Sequence, residues 1–262
     1  MARRKKNEET NHKGVSAENV MGLRAEVLEQ PITETLETNY MPYAMSVIVS
    51  RAIPEIDGFK PSHRKLLYTM YKMGLLSGAR TKSANIVGQT MRLNPHGDAA
   101  IYETMVRLAK GCEALNMPFV DSKGNFGKVY SRDMSYAASR YTEAKLAPIC
   151  AEIFGDIDKD TVDFVDNYDG SMKEPALLPT AFPNVLVSAN TGIAVGMASQ
   201  ICGFNLTEVC ETAINYIRDP ECDLMATLPA PDFPTGGEIV MDTDAMREIY
   251  RTGRGSFKVR SR

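Results

Sequence analysis

The residues of this sequence best suited to take part in a reaction are an adjacent arginine and tyrosine, Arg140 and Tyr141. A phenol has a pKa near ~10, so roughly one molecule in a thousand is ionised at pH 7, a deficit of about 4 kcal/mol. A neighbouring cation can stabilise the phenolate, or the negative charge that builds on a phosphate under attack. An isolated Arg-Tyr pair is more often a solvated charge beside a half-buried ring. Whether this tyrosine is a nucleophile must therefore be judged from the surrounding sequence.

The pair lies in a short polar segment, residues 137–143, between a glycine-containing loop and an apolar stretch that begins at Leu146. We predict that Asp133 caps a helix carrying Tyr141, with a kink or a restart of that helix at Pro148. Adjacent residues of a helix do not face the same way. Both side chains can therefore touch one phosphate only if the pair lies at a helix end or in a loop.

Charge is divided unevenly along the chain, although the formal net charge of −3 does not by itself indicate a nucleic-acid binder. Residues 51–145 hold 15 Lys and Arg against 8 Asp and Glu, a net of +7, whereas residues 146–250 hold 4 against 18, a net of −14. The first part can face a phosphate backbone broadly and the second cannot.

The sequence predicts no metal site of its own. The five cysteines have no C-x-x-C spacing, and only three histidines accompany them. Asp156, Asp158 and Asp160 alternate as in a calcium loop, but Thr161 and Asn167 stand where the loop needs glycine and glutamate. No signal peptide or membrane-spanning segment is visible, which indicates a cytoplasmic protein.

The pattern of apolar residues predicts an α+β protein. Apolar residues mostly four apart predict a helix over 32–49, and Pro61 marks the start of another. A glycine-containing turn leads to a helix over 81–93, a helix-turn-helix signal that many helical hairpins without DNA also show. Asp98 is expected to cap the next helix. Further predictions are a β-wing over 119–130, strands at 161–168, 185–187, 193–197, 238–241 and 257–259, and helices at 208–218 and 246–250.

Eight segments resemble, in the same order, the A subunit of the bacterial type IIA DNA topoisomerases, the family that contains DNA gyrase and topoisomerase IV. The segments are 43–49, 57–64, 95–102, 124–127, 140–143, 163–170, 192–197 and 250–255. The resemblance implies a flexible tail (1–30), an arm with a winged-helix DNA-cleavage domain (31–174) and part of an α+β tower domain (175–262). Because the sequence stops within an apparent strand, we expect it to be a fragment.

The same resemblance implies the chemistry. Tyr141 would attack a DNA phosphodiester and stay joined to the 5′ phosphate, while Arg140 stabilises the phosphate oxygens. Two copies, as a homodimer, would cut both strands so that another duplex passes through. A partner B subunit would complete an A2B2 complex and supply ATP binding and the Mg²⁺ ligands, at the nucleoid in the cytoplasm. The alternative is a helix-turn-helix protein that binds DNA without cutting it.

Further roles carried over from the resemblance concern DNA and drug contacts. Backbone phosphates would be contacted by Arg51, Lys60, His63, Arg64 and His96. Ile193 would slide between base pairs as a wedge, although by itself it would be read as a core strand residue. Ala99 stands where many members carry a serine that helps to hold fluoroquinolones, and Glu103 keeps the acidic partner. We therefore expect weak quinolone binding, which a DNA-cleavage titration comparing the protein with its Ala99→Ser variant checks.

Overall fold

The structure, a computed structural model, describes residues 30–261 and the backbone of two strands before them. These strands, β1 (Val15–Glu18) and β2 (Arg24–Val27), pair antiparallel. A flexible tail was predicted for residues 1–30; apart from these two strands and residue 30, it lies outside the described residues. The chain divides into two compact units, Met1–Val47 and Ile48–Arg262, and the domain boundary near residue 175 stays a prediction.

The helix predicted over 32–49 is confirmed as a run of short helical segments. In the first unit these are α1 (Ile32–Thr35), a π-helical segment (Leu36–Tyr40) and α2 (Met41–Val47). A second π-helical segment, Ile48–Ala52, begins the second unit. Ile32, Leu36 and Tyr40, three of the apolar residues spaced along the first unit's helix, are exposed, whereas Ala44 is buried.

Three helices form the centre of the second unit. They are α3 (Pro61–Lys72), α4 (Ser83–Thr90) and α5 (Asp98–Leu108), and they pack against one another. Proline at the first position of α3 fits because its missing N–H would have no intrahelical partner there. Leu66, Leu67 and Met70 are fully buried on one face of α3, and each contributes about 1.5–3 kcal/mol by leaving water.

A three-stranded antiparallel sheet covers this helical core. Its strands are β3 (Thr81–Lys82), β4 (Val120–Lys123) and β5 (Glu143–Leu146), in the order β3-β5-β4. The helix predicted to start at Thr81 starts two residues later, at Ser83, because Thr81 and Lys82 pair with β5. The predicted cap Asp98 is also wrong: Gly97 holds the cap position, and Asp98 is the first helical residue. The Asp98 carboxylate still interacts favourably with the positive end of the helix dipole.

The rest of the second unit alternates short strands and helices. They are, in chain order, α6 (Cys150–Phe154), β6 (Phe164–Asp166), β7 (Lys173–Pro175), α7 (Asn184–Val187), β8 (Asn190–Ile193), β9 (Ala198–Ile201), α8 (Leu206–Arg218), β10 (Glu238–Val240), α9 (Thr243–Thr252) and β11 (Lys258–Arg260). Short 3-10 turns occur at Lys110–Cys112 and Leu224–Ala226. The α+β class is thereby confirmed.

Two predicted strands in this part are wrong. Residues 185–187 belong to helix α7. The first residue of this helix, Asn184, donates from its side-chain amide to the backbone oxygen of Asp57 at 2.9 Å. Only Ile193 of the strand predicted over 193–197 is extended. The following residues form a hairpin tip, where Gly196 has a φ of +72°, a conformation that glycine adopts without strain.

Candidate active site

Tyr141 lies on a turn directly before β5, not on a helix. Its backbone N–H donates to the Ala138 oxygen at 2.9 Å, and the strand begins two residues later. The prediction of a helix capped by Asp133 is therefore wrong, because this turn and the strand pairing take up the backbone. The other geometry considered from sequence, a loop or helix end, is the one observed, since Arg140 and Tyr141 both lie on the turn.

The arginine and the phenol lie against each other at the surface. The guanidinium carbon of Arg140 is 4.8 Å from the centre of the Tyr141 ring, and 66% of the tyrosine is exposed. Such a cation–π contact contributes about 0.5–1 kcal/mol at an exposed site. It places the positive charge beside the phenol while both groups stay accessible to a large substrate.

Backbone hydrogen bonds fix this turn to the beginning of α4. The Ser83 N–H donates to the Thr142 oxygen at 3.0 Å, and the Ala84 N–H donates to the Ser139 oxygen at 3.2 Å. The first N–H groups of a helix have no partner within the helix. The turn supplies those partners, so the carbonyls on both sides of the Arg140–Tyr141 pair are held by a rigid element.

Buried hydroxyl groups reinforce the attachment. Thr142 Oγ1 donates to Ser83 Oγ at 2.8 Å and lies 2.9 Å from the hydroxyl oxygen of Tyr102. Tyr102 also donates to the Ala137 oxygen at 2.8 Å. Sequence reasoning missed the role of these residues, because Thr142 lies beside Glu143 and Ser83 beside Lys82, with no local apolar pattern to mark them as buried.

The glycine-containing loop supports the segment before the turn. Asn125 accepts from the Ala137 N–H at 3.0 Å and donates to the Ser135 oxygen at 3.1 Å. Gly127 has a φ of +69°, and a Cβ there would lie 2.6 Å from the Met134 oxygen. Only glycine fits this close approach, which gives the loop a packing role at the site.

Two clefts are lined by the five predicted phosphate-binding residues. The first, of about 590 Å³, is lined in part by Arg51, Arg64 and His96. The second, of about 530 Å³, is lined in part by Lys60 and His63, together with Glu103 and Arg107. Sequence reasoning missed Arg107, whose spacing four residues after Glu103 on α5 was the available signal.

The other predicted residues lie on α5 and at the end of β8. Ala99 and Glu103 are exposed one turn apart on α5, and Glu103 accepts from Arg107 at 2.9 Å. Ile193 is 82% exposed at the end of β8. The drug-contact role of the first two and the wedge role of Ile193 stay predictions.

Arg64 is engaged inside the fold. Its Nε and one terminal nitrogen donate to the two Asp57 carboxylate oxygens at 2.8 and 3.0 Å, and the same terminal nitrogen reaches the Phe59 oxygen at 3.2 Å. Both charged side chains are buried. This bidentate pair gives Arg64 a structural role, and its phosphate contact stays a prediction.

His63 is held neutral at physiological pH. Burial, followed by the nearby charges of Lys60, Arg107 and Arg64, lowers its pKa to about 4, while Asp57 opposes this shift. Burial and Arg107 also lower the pKa of Lys60. A neutral imidazole can donate one hydrogen bond to a phosphate but brings no charge, so it adds little to the salt dependence of binding.

We expect the imidazole of His63 to titrate near pH 4 in an NMR titration of the chain without DNA. The unfolded chain takes up this proton near pH ~6.5, so stability falls as pH drops from about 6.5 to about 4 and is unaffected above that window. The loss is up to roughly 3 kcal/mol. A His63→Gln variant should remove both the resonance and this part of the pH dependence, and a titration midpoint above about 6 would contradict the assignment.

The hairpin that carries Ile193 is braced against two other segments. Lys60 Nζ donates to the Thr191 oxygen at 2.8 Å. A Cβ on Gly192 would lie 2.0 Å from the Ala52 oxygen, so the strand passes this backbone at a distance that excludes any larger residue. These contacts set the direction in which Ile193 projects.

Replacing Gly192 with alanine should displace the hairpin or destabilise the fold, because the clash is with backbone. We expect a loss of about 1–3 kcal/mol, the usual cost of overpacking, measured by urea denaturation. Gly88→Ala is the matched control, since a Cβ there meets nothing within 4 Å and alanine favours helix by about 1 kcal/mol. Equal stability of both variants would refute the close contact.

The part of the chain that the structure describes contains no group of three or more His, Cys, Asp or Glu side chains placed to hold a metal ion. None of the described helices has both the length and the apolar character that a bilayer crossing needs.

A family model and individual relatives indicate the same family for this chain. Residues 51–262 match the family model that describes the A subunit of DNA gyrase/topoisomerase IV. The DNA gyrase A subunit of Halalkalibacterium halodurans is 46% identical over 245 residues, which are 91% of this chain and 29% of that protein. The DNA gyrase A subunit of Haloquadratum walsbyi is 47% identical over 246 residues, 92% of this chain and 28% of that protein.

The chain spans less than a third of the length of these curated relatives. The family match nevertheless covers most of the chain and includes the Arg140–Tyr141 turn and the basic residues of both clefts. The resemblance read from the eight segments is confirmed: the chain belongs to the family of DNA gyrase and topoisomerase IV A subunits.

Proposed function

We propose that this chain is the DNA-cleaving part of an ATP-dependent type II DNA topoisomerase, with Tyr141 as the nucleophile. The observation that carries the proposal is the exposed Arg140–Tyr141 pair on a turn anchored to α4, in a chain of this family. The helices α3 to α5 with the three-stranded sheet would serve as the winged-helix support for that turn.

The proposed reaction is a transesterification. The Tyr141 oxygen loses its proton and attacks phosphorus, the bond to the 3′ oxygen breaks, and the 5′ phosphate remains on the tyrosine. The 3′ oxygen leaves with a proton, and the reverse attack reseals the strand. Arg140 stabilises the charge on the phosphate oxygens during both attacks. Because one ester replaces another, resealing needs no external energy.

The two clefts would guide the DNA backbone to the turn. Arg51 and His96 in the first cleft and Lys60 in the second are donors suited to phosphate oxygens. His63 would contribute a neutral hydrogen bond, and Ile193 would insert between base pairs from its exposed position on the hairpin. The net positive charge of residues 51–145 favours the same surface.

Partner chains complete the proposed complex. A B subunit would bring the ATP site and the acidic ligands for Mg²⁺, which would polarise the scissile phosphate. Ile32, Leu36 and Tyr40, exposed apolar residues of the first unit's helix, suit a surface that such a subunit covers. A homodimer of this chain within an A2B2 complex would place one tyrosine on each DNA strand.

The test locates the attached nucleotide. The full-length protein is mixed with its B subunit, Mg²⁺ and labelled DNA, denatured to trap the adduct, and digested with protease and nuclease for mass spectrometry. The expected result is a nucleotide on the peptide that contains Tyr141. A nucleotide on another residue, or DNA bound without any adduct, would overturn the proposal; the second outcome would favour the non-cleaving DNA-binding protein.

A further inference from the structure

The turn that carries Tyr141 is held by side-chain hydroxyls that take no part in the proposed reaction. Thr142, the residue directly after the nucleophile, is fully buried, as is Ser83 at the start of α4. The third member, Tyr102 on α5, is 6% exposed. Three hydroxyls out of reach of water are costly unless each one is hydrogen-bonded, and here each one is.

The bonds of this hydroxyl network lie on both sides of the reactive pair. Thr142 is attached to Ser83 at two points, since its backbone oxygen accepts from the Ser83 N–H and its Oγ1 donates to Ser83 Oγ. Two attachments fix the orientation of the peptide that follows Tyr141. Tyr102 binds the Ala137 oxygen, four residues before the nucleophile, and its hydroxyl also contacts Thr142.

The Tyr102 ring is itself immobilised. It packs edge-on against Tyr136 and near Phe126, with ring centres 5.5 and 6.3 Å away. Burial raises the pKa of Tyr102, although the bond to Thr142 opposes this shift. The phenol therefore stays protonated and available as a donor over the physiological range.

We infer that the hydroxyl network of Ser83, Thr142 and Tyr102 positions Tyr141 for attack on the phosphate, which makes Thr142 and Tyr102 positioning residues for DNA cleavage. The inference rests on the proposed function. A nucleophile on a short turn has few contacts of its own, and misplacement by about 1 Å can cost about 10²-fold in rate. The network is the part of the structure that connects that turn to two helices at once.

The experiment separates cleavage from binding. The full-length protein, with Mg²⁺ and its B subunit, is assayed for the rate of covalent-adduct formation at saturating DNA, and separately for DNA affinity. Thr142→Val keeps the shape of the side chain and removes its hydroxyl; we expect cleavage to slow by about 10- to 100-fold with DNA affinity unchanged. Thr142→Ser retains the hydroxyl and should restore the rate. Tyr102→Phe should slow cleavage in the same way as Thr142→Val.

The matched control is Thr90→Val, which removes a buried hydroxyl at the other end of α4. Thr90 Oγ1 donates to the Ile86 backbone oxygen of its own helix at 2.8 Å, so its loss should leave the cleavage rate unchanged. Equal rates for Thr142→Val, Tyr102→Phe and Thr90→Val would overturn the inference. If Thr142→Val does not fold, the pair Tyr102→Phe and Thr90→Val decides it. A wild-type protein without any adduct would instead refute the proposed function.

Discussion

Replacing Tyr141 with phenylalanine should abolish the covalent protein–DNA adduct while leaving DNA affinity within about twofold of the unmodified protein. The substitution removes only the oxygen that forms the phosphotyrosine bond. The side chain is 66% exposed, and the turn is anchored instead by the backbone groups of Ser139 and Thr142. A phenyl ring also keeps the contact with Arg140, because cation–π attraction does not need the hydroxyl.

The measurement is gel separation of labelled DNA after denaturation, with affinity measured in parallel by fluorescence anisotropy. Tyr130→Phe is the matched control, since Tyr130 is 61% exposed and lies in the same connection between β4 and β5. It should cleave at the normal rate. Residual adduct in Tyr141→Phe, or equal losses in both variants, would show that another group is the nucleophile.

The sequence predicted the long elements of the fold well, since each has an apolar period that survives in the structure. Helices α3 and α8 are examples: Pro61 begins the first, and the helix predicted over 208–218 lies within the second. Short helices and strands were harder to predict from the sequence. Residues 185–187 are apolar and mostly β-branched, which favours a strand, but the bond between Asn184 and the Asp57 backbone draws them into a helical turn.

The sequence predicted the backbone setting of the Arg140–Tyr141 pair in part, but not the bonds that support it. The requirement that Arg140 and Tyr141 share one phosphate indicated a loop or helix end, and the structure has a loop. The helix expected around Tyr141 does not form because the carbonyls of this segment cap α4 instead. Such long-range bonds join residues far apart in the chain and leave no local period, so sequence alone cannot reveal them.

Removing the Asp57 carboxylate should be among the most destabilising single changes in this chain. In Asp57→Ala we expect a loss of about 3–5 kcal/mol in the free energy of unfolding, because Arg64 would keep a buried charge without its carboxylate. The carboxylate also accepts the N–H groups of Phe59 and Leu178 at 3.0 and 2.9 Å. One residue therefore connects the loop before α3 with the segment before α7.

Urea denaturation of the chain measures this loss, and Glu248→Ala is the control. Glu248 pairs with Arg251 at 2.6 Å on the exposed face of α9, where a surface ion pair is worth about 0–1 kcal/mol. A small loss for both variants, combined with weaker DNA binding in Asp57→Ala, would mean that Arg64 acts mainly on DNA. A large loss in the free energy of unfolding for Asp57→Ala alone would show that Arg64 mainly stabilises the fold. Arg51 and His96 would then be the residues of the first cleft that contact phosphate.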